Sequence, residues 1–331
     1  MENNINKYLN WLLEGQKIEI LSIALDLQIF RLIESKVDTL EVLVKELNSD
    51  SENTKVLMNS LIYLDLIKEK KGVYSNTPFI QNFFIYGSKT YSGDIFLYRK
   101  KLLNGARDMF KSLILNGNKN IKDSKHPDKW AQAAKENLKQ EQKTLVAPYA
   151  IDIIKSLPEF KSLNKVLDLG CSSAIVGLEL VKNHSNAKGV CFDYAEVTEV
   201  VDEHIKEYSL ESRVSTLAGD IEFDDIGNGY DLIWCSNIFY FIKNKKEVFD
   251  KLYKALNKGG VLISTHIEID EQDQIDDASY FYYLFLNLQG KEYLKSKEIK
   301  ASFQDSGFSD ISTHKNFDFP MTPLQVHIAR K

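Results

Sequence analysis

Lys165-Val-Leu-Asp168-Leu-Gly170-Cys-Ser172-Ser-Ala174-Ile-Val-Gly-Leu-Glu-Leu-Val181-Lys, followed after a short gap by Lys188-Gly-Val-Cys-Phe192-Asp193-Tyr194, is the stretch on which the chain's organisation turns. Residues 166–169 form an apolar run too short for a helix, residues 170–174 are all small, and Ile175, Leu178 and Val181 recur at helical spacing. The pattern predicts strand, tight turn, helix. A second apolar run, residues 189–192, ends in Asp193, 25 residues after Asp168. A carboxylate at the tip of a neighbouring parallel strand, beside a turn with little side chain, is how a doubly wound sheet holds a ribose diol next to a helix N-terminus.

The ligand class narrows further. A dinucleotide site needs three glycines at fixed spacing so that backbone can approach a pyrophosphate. Here Gly170 is followed by Ser172 and Ala174. Asp168, close to the ligand, would repel a pyrophosphate and attract an amino group. Both features favour S-adenosylmethionine over a nicotinamide dinucleotide.

Outward from this stretch, strands and helices alternate. Helix is expected over residues 197–208, strand over 214–218 and 231–235, helix over 246–256, a turn at Asn257-Lys-Gly-Gly260, and strand over 261–267. Such alternation means a mostly parallel α/β sheet with helices on both faces. An aromatic helix over 278–288, a helix over 296–306 and a closing antiparallel pair complete this half.

The N-terminal half differs. Residues 8–33 carry a wide apolar face, including Leu9, Leu12 and Leu13, which needs a partner. Asp38-Thr39 can cap a helix over 40–47, Ser51 or Asp50 can cap a second one through 66, and residues 67–74 read as a hairpin around Gly72. Helix, helix, hairpin is a winged-helix pattern. Its second helix, residues 53–64, has one basic residue, Lys55, and a solid apolar face. A DNA reader would neutralise several phosphates, so packing or dimerisation is the better reading. Helices are also expected over 91–115 and 127–157, separated by a polar stretch, 116–125, that reads as a mobile loop.

Bulk properties are those of an ordinary soluble globular protein. The chain has 331 residues, 44% hydrophobic and 27% charged, with a formal net charge of -5, which argues against nucleic-acid or anionic-membrane partners. No apolar run approaches the ~18 residues needed to span a bilayer, and no basic-then-apolar leader opens the sequence, so the expectation is cytoplasmic. Cys171, Cys191 and Cys235 form no CxxC and have no histidine at ligand spacing, so they read as reduced apolar residues and no metal site is expected. His126, His184, His204, His314 and His327 fall in polar or peripheral contexts and receive no role.

Nearly the whole chain resembles class I S-adenosylmethionine-dependent methyltransferases with an N-terminal winged-helix dimerisation domain, the plant and bacterial small-molecule O-methyltransferase type. The resemblance rests on Leu25-Asp-Leu-Gln-Ile-Phe30, Gly72-Val-Tyr74-Ser-Asn-Thr77, Val166-Leu-Asp-Leu-Gly170, Phe192-Asp193, Ala218-Gly219-Asp220-Ile221, Asp231-Leu-Ile-Trp-Cys-Ser-Asn237, Leu256-Asn-Lys-Gly-Gly260 and Ser306-Gly307-Phe308, in this order and spacing. It implies a Rossmann-like seven-stranded sheet, a dimerisation domain over 1–100 and a catalytic domain over 101–331, with 101–158 as a helical linker walling the site. It further implies a homodimer, S-adenosylmethionine as cofactor, and a small, aromatic or conjugated acceptor of secondary metabolism.

Residue by residue, the resemblance implies that Asp168 and Gly170 line the methionine part of the cofactor. Asp193 takes the ribose hydroxyls, Gly219, Asp220 and Ile221 bracket the adenine, and Cys235 and Ser236 lie under the sulfonium. For Asp220 the alternative is a helix-cap or turn residue. Trp130, Tyr149, Phe239, Tyr282 and Tyr283 are expected around the acceptor, although successive aromatics on one helix cannot all face one way.

Two departures bear on chemistry. The family's histidine after the fourth strand is Tyr240 here, and the acid that orients it from the fifth strand is His266. A tyrosine of pKa ~10 is ionised about one part in a thousand at neutral pH, a cost of roughly 4 kcal/mol, so Tyr240 is a poor general base unless a neighbour lowers its pKa. Either His266 is the base, or the acceptor needs little deprotonation, or the scaffold binds its nucleoside without methyl transfer. Tyr240 packing in the core and His266 as a buried strand residue is the remaining alternative. A winged-helix regulator that senses a ligand is the rival from another class.

Overall fold

The computed structural model describes residues 5–117, 127–269 and 275–331, and the chain divides into two compact units, Met1–Leu103 and Asn104–Lys331. Nearly all of the loop expected over 116–125 lies outside the described residues, as does His126.

The first unit begins with α1 (Asn6–Asp26) and α2 (Ile29–Glu34), joined at Gln28, which takes a left-handed conformation (φ 54°). Helices α3 (Leu40–Leu47) and α4 (Ser51–Tyr63) follow, the latter capped by Asp50, whose carboxylate accepts the Asn53 N–H at 2.9 Å. A two-stranded antiparallel hairpin, β1 (Ile67–Lys70) and β2 (Val73–Asn76), precedes α5 (Pro78–Phe83). Ile29, Phe30, Leu43, Met58, Leu61 and Ile80 make its core. Much of the apolar face of α1 is not in that core: Trp11 and Leu12 are 63% and 68% exposed.

Helix α6 (Gly93–Asn116) runs out of the first unit. The expected helix over 127–157 is present as a nearly continuous run with two π-helical turns: α7 (Pro127–Ala133), π-turn Ala134–Leu138, α8 (Lys139–Glu141), π-turn Gln142–Val146, α9 (Ala147–Ser156). Each π-turn rotates the side chains that follow it around the helix axis, a local change that apolar periodicity does not encode.

The second unit then alternates as expected: β3 (Lys165–Leu169), α10 (Ile175–Asn183), β4 (Lys188–Asp193), α11 (Ala195–Glu207), β5 (Val214–Ala218), β6 (Tyr230–Ser236), α12 (Lys245–Ala255) and β7 (Leu256–His266). Short strands β8 (Glu268–Ile269) and β9 (Leu294–Lys295) flank α13 (Asp277–Leu288) and pair with each other, and α14 (Ser296–Asp305), β10 (Ser309–Asn316) and β11 (Leu324–Arg330) close the chain. The seven-stranded sheet has the order β10-β11-β7-β6-β3-β4-β5, parallel except that β11 runs against β7 and β10. Residues 257–260, expected as a turn, extend β7 instead, because Leu256 pairs with Tyr230 ahead of a register shift.

The reason for this topology is visible in β3. Its Val166, Leu167 and Leu169 are each 1% exposed, and a strand sealed on both faces belongs at the centre of a parallel sheet. The strand order reverses between β3 and β6, so a crevice opens beyond their carboxyl ends, where such folds bind ligands.

Candidate active site

The turn after β3 is tightly determined. Gly170 takes φ +64°, and a Cβ there would lie 2.6 Å from Ile238 Cγ2, so only glycine fits. Ser172 (φ 52°) and Ala174 (φ 57°) also take left-handed backbone. The loop therefore keeps the shape of a glycine-rich turn at positions that lack glycine, at a cost of roughly 1–2 kcal/mol per residue.

Several contacts enforce that shape. Gly170 and Cys171 donate their N–H groups to the Phe192 carbonyl at 2.9 and 3.1 Å, and the Ser172 N–H reaches Asp193 Oδ2 at 2.8 Å. From α11, His204 Nδ1 lies 3.0 Å from the Ser173 carbonyl oxygen. From the second π-turn, Gln142 Nε2 donates to the Cys171 carbonyl at 3.2 Å while Gln142 Oε1 accepts the Ile175 N–H at 3.0 Å.

A lone glutamine such as Gln142 carries no sequence signal, and the peripheral context expected for three of the histidines is corrected by the structure. His184, His204 and His327 are buried at 6%, 3% and 0% exposure, each with a polar partner, and burial pushes the pKa of His204 down. His314 is exposed.

Asp168 is 5% exposed and accepts the Gly177 N–H at 2.8 Å. Gly177 has no Cβ for the same reason: one there would stand 2.9 Å from the Asp168 carboxylate. Burial raises the Asp168 pKa to about 7, with the Gly177 N–H working the other way and the charge of Asp193 adding to the rise. Burial raises Asp193 as well, opposed by the N–H groups of Ser172 and Tyr194. Asp193 stands at the tip of β4, and its two bonds leave part of its acceptor capacity open.

Gly219, Asp220 and Ile221 follow β5. A Cβ on Gly219 would meet Asp224 and Phe192 at about 3 Å. Asp220 Oδ1 accepts the Glu222 N–H at 3.0 Å, a turn contact, and Ile221 packs on the main core. Beyond β6, the Cys235 thiol is fully buried with its pKa pushed up by burial, while Ser236 is partly exposed at the strand end.

The expected catalytic pair is brought together inside the protein. Tyr240, 7% exposed, directs its hydroxyl to Asn237 Oδ1 and the Ile267 carbonyl, each at 3.1 Å, and accepts the Ile267 N–H. Burial raises its pKa well above 10. His266 is fully buried; its Nε2 accepts the N–H groups of Ile238 and Phe239 at 3.2 Å, its Nδ1 lies 3.0 Å from Ser264 Oγ, and burial lowers its pKa. His266 thus serves the backbone after β6, and the Tyr240 hydroxyl serves the Ile267 backbone after β7.

Of the acceptor residues, Phe239 and Tyr283 fall in the core at 0% exposure and not on an open wall. Phe239 stacks on His266 at 4.2 Å, and the Tyr283 hydroxyl donates to the Glu292 carbonyl at 2.9 Å. Trp130 is 42% exposed against Phe241, Tyr149 packs on Phe319, and Tyr282 is half-buried.

The residues suit a nucleoside with an amino-acid tail. Ser172 Oγ and Ser173 Oγ are buried at the turn without a hydrogen-bond partner, and Asp193 retains acceptor capacity beside them. Fold and site together define a nucleoside-binding doubly wound α/β protein. Residues 123–313 match the family model for a methyltransferase domain, more than half of the chain. The chain belongs to that family: it is an S-adenosylmethionine-dependent methyltransferase.

An uncharacterized protein of Methanocaldococcus jannaschii is 28% identical over 289 residues, covering 86% of this chain and 75% of that one. The structure of an O-methyltransferase family protein from Burkholderia thailandensis superposes with TM-score 0.80 at 13% identity, covering 100% of this chain and 99% of that one. Human N-acetylserotonin methyltransferase in complex with S-adenosylmethionine gives TM-score 0.75 at 17% identity, covering 100% and 98%. At these identities the two structural likenesses concern the fold. Among the described residues, no group of three or more His, Cys, Asp or Glu side chains could hold a metal, and no helix is long and apolar enough to cross a membrane.

Proposed function

We propose that this chain methylates an oxygen of a small, aromatic or conjugated metabolite, and that the acceptor arrives already ionised or weakly acidic. The observation that carries the second half is the environment of Tyr240 and His266. Every polar atom of the pair is engaged, with residues 237–239 after β6 and with Ser264 and Ile267 at the end of β7, and burial pushes both pKa values away from what a base at neutral pH needs. The cofactor supplies an electrophilic methyl group on a sulfonium. The protein's part is to bind, to orient and to exclude water, which suffices when the nucleophile needs no deprotonation.

Asp193 is the acceptor for the ribose diol in this reading, Gly170 and Ser172 lie along the amino-acid tail, and Asp168 faces its ammonium group. Trp130, Tyr149 and Tyr282 offer aromatic surface for a flat acceptor. Oxygen as the target atom follows the O-methyltransferase resemblance carried by the motifs from Val166-Leu-Asp-Leu-Gly170 to Ser306-Gly307-Phe308. The exposed apolar side chains of α1, Trp11, Leu12 and Leu13 among them, support a homodimer, since neighbouring large apolar groups left open to water mark an interaction site.

The test is a panel of phenols, enols and thiols of graded acidity, incubated with enzyme and S-adenosylmethionine and assayed for S-adenosylhomocysteine. Turnover that rises as the acceptor pKa falls below about 8 fits the reading. Equal turnover of weakly acidic alcohols would require a protein base and overturn it. A chain that binds S-adenosylmethionine and turns over no member of the panel would also overturn it.

A further inference from the structure

We propose that Gln142 is a positioning residue for cofactor binding, holding the turn of residues 170–174 in a shape that its own sequence disfavours. The inference rests on the reading of that turn as the cofactor cradle.

Ser172 and Ala174 both sit in left-handed backbone, and neither is a residue that goes there readily. Left to itself, such a turn relaxes toward right-handed or extended backbone, moving the buried, unpartnered Ser172 Oγ and the Ser172 N–H that holds Asp193. Something outside the turn must therefore over-determine it. The Gln142 amide reaches across it, donating to Cys171 ahead of the two strained residues and accepting from Ile175 behind them. One planar group thus fixes the separation between the two ends of the left-handed segment. Ala174 N–H also returns to the Cys171 carbonyl at 2.8 Å, so the oxygen that Gln142 holds is the one that closes the turn.

The π-turn at Gln142–Val146 explains how a helix wall supplies this side chain. Helical turns of this kind are uncommon and concentrate at functional positions. The same helical run carries Trp130 and Tyr149, so the residue that grips the cofactor turn belongs to the element expected to meet the acceptor.

The experiment measures S-adenosylhomocysteine binding by isothermal titration, with the thermal unfolding midpoint, for wild type, Gln142→Ala and Gln142→Met. Methionine keeps the bulk of the side chain without its amide. Each variant is also made in a chain carrying Ser172→Gly and Ala174→Gly, where left-handed backbone costs little. In the natural turn both Gln142 variants are expected to weaken binding about tenfold, the effect of losing two ordinary hydrogen bonds that hold one conformation. In the glycine-bearing turn the loss shrinks to less than about threefold. A loss below twofold in the natural turn, or an equal loss in both turns, overturns the proposal, the second because it would mean general support of the fold. Gly170→Val, read only where its thermal unfolding midpoint stays near that of wild type, separates this from the cofactor-turn reading: if it leaves binding intact, that reading falls and the Gln142 proposal with it, whereas abolished binding in the folded variant places any failure on Gln142 alone.

Discussion

Asp168 makes cofactor affinity depend on pH in a calculable way. Its carboxyl is buried and its pKa is raised to about 7, whereas an ordinary aspartate titrates at 3.8. If the cofactor's ammonium group lies against it, binding selects the ionised form, which makes up about one eleventh of the protein at pH 6 and half at pH 7. Affinity for S-adenosylhomocysteine should therefore rise about fivefold from pH 6 to pH 7, and flatten toward pH 8, where the ligand's own α-amino group of pKa ~8 begins to lose its charge. Asp168→Asn keeps an acceptor for the Gly177 N–H but cannot ionise, so its binding should be weaker at pH 7.5 and lack the part of the slope due to Asp168. The same residue sets a stability slope. With the folded pKa above the unfolded one, the stabilisation it provides is complete below pH 3.8 and is lost as pH rises through 7, on the order of 4 kcal/mol in total. Asp168→Asn should accordingly unfold at higher denaturant than wild type at pH 8. Titrations at three pH values check the first statement and urea melts the second. The same pH slope in wild type and in Asp168→Asn would refute the reasoning, because it would place Asp168 away from the ligand's charge.

Other perturbations follow from the same geometry. Tyr240→Phe removes the hydroxyl that bridges Asn237 and Ile267; unfolding experiments should find a loss of about 1–3 kcal/mol, while kcat on an acidic phenol stays within a few fold, and a drop of three orders of magnitude would make Tyr240 part of the chemistry. His327→Leu leaves Glu268, whose Oε2 lies 2.8 Å from His327 Nε2 and whose Oε1 has no partner, with its buried carboxyl group unpartnered; a cost of about 1–3 kcal/mol is expected in a urea melt, and a neutral result would show that water reaches the site. If the chain is the homodimer proposed above, Trp11→Asp with Leu12→Asp should lower its sedimentation coefficient to that of a monomer without altering the thermal midpoint of the second unit, and an unchanged coefficient would overturn a dimer through α1.

Much of the second unit was legible because its signals are local and strong. A four-residue apolar run, a turn of small residues and an acid 25 positions on admit few arrangements, and β3 and β4 lie where those signals put them. The site was legible only where one residue type has one use. Gly170 could be read because its φ of +64° and the nearby Ile238 leave no room for a side chain. Ser172 and Ala174 concealed the same backbone, since their identities argue for other conformations and only contacts from elsewhere hold them left-handed. Gln142 was out of reach for that reason: its role depends on a π-turn, which residue periodicity cannot register. Tyr240 and His266 were located by counting from β6 and β7, but their work is decided by burial and by which backbone groups face them. The same distinction separates Trp130, left exposed, from Phe239 and Tyr283, drawn into the core.

The central claim is that residues 168–174 and Asp193 cradle S-adenosylmethionine. It is tested most directly by isothermal titration of wild type and Asp193→Ala with S-adenosylmethionine and S-adenosylhomocysteine at pH 7.5. Binding on the order of micromolar by wild type, weakened about tenfold to a hundredfold in Asp193→Ala through loss of a partly buried diol contact, is the expected result. Absence of binding by wild type, or equal affinity in the variant, would contradict the placement of the ribose at the tip of β4.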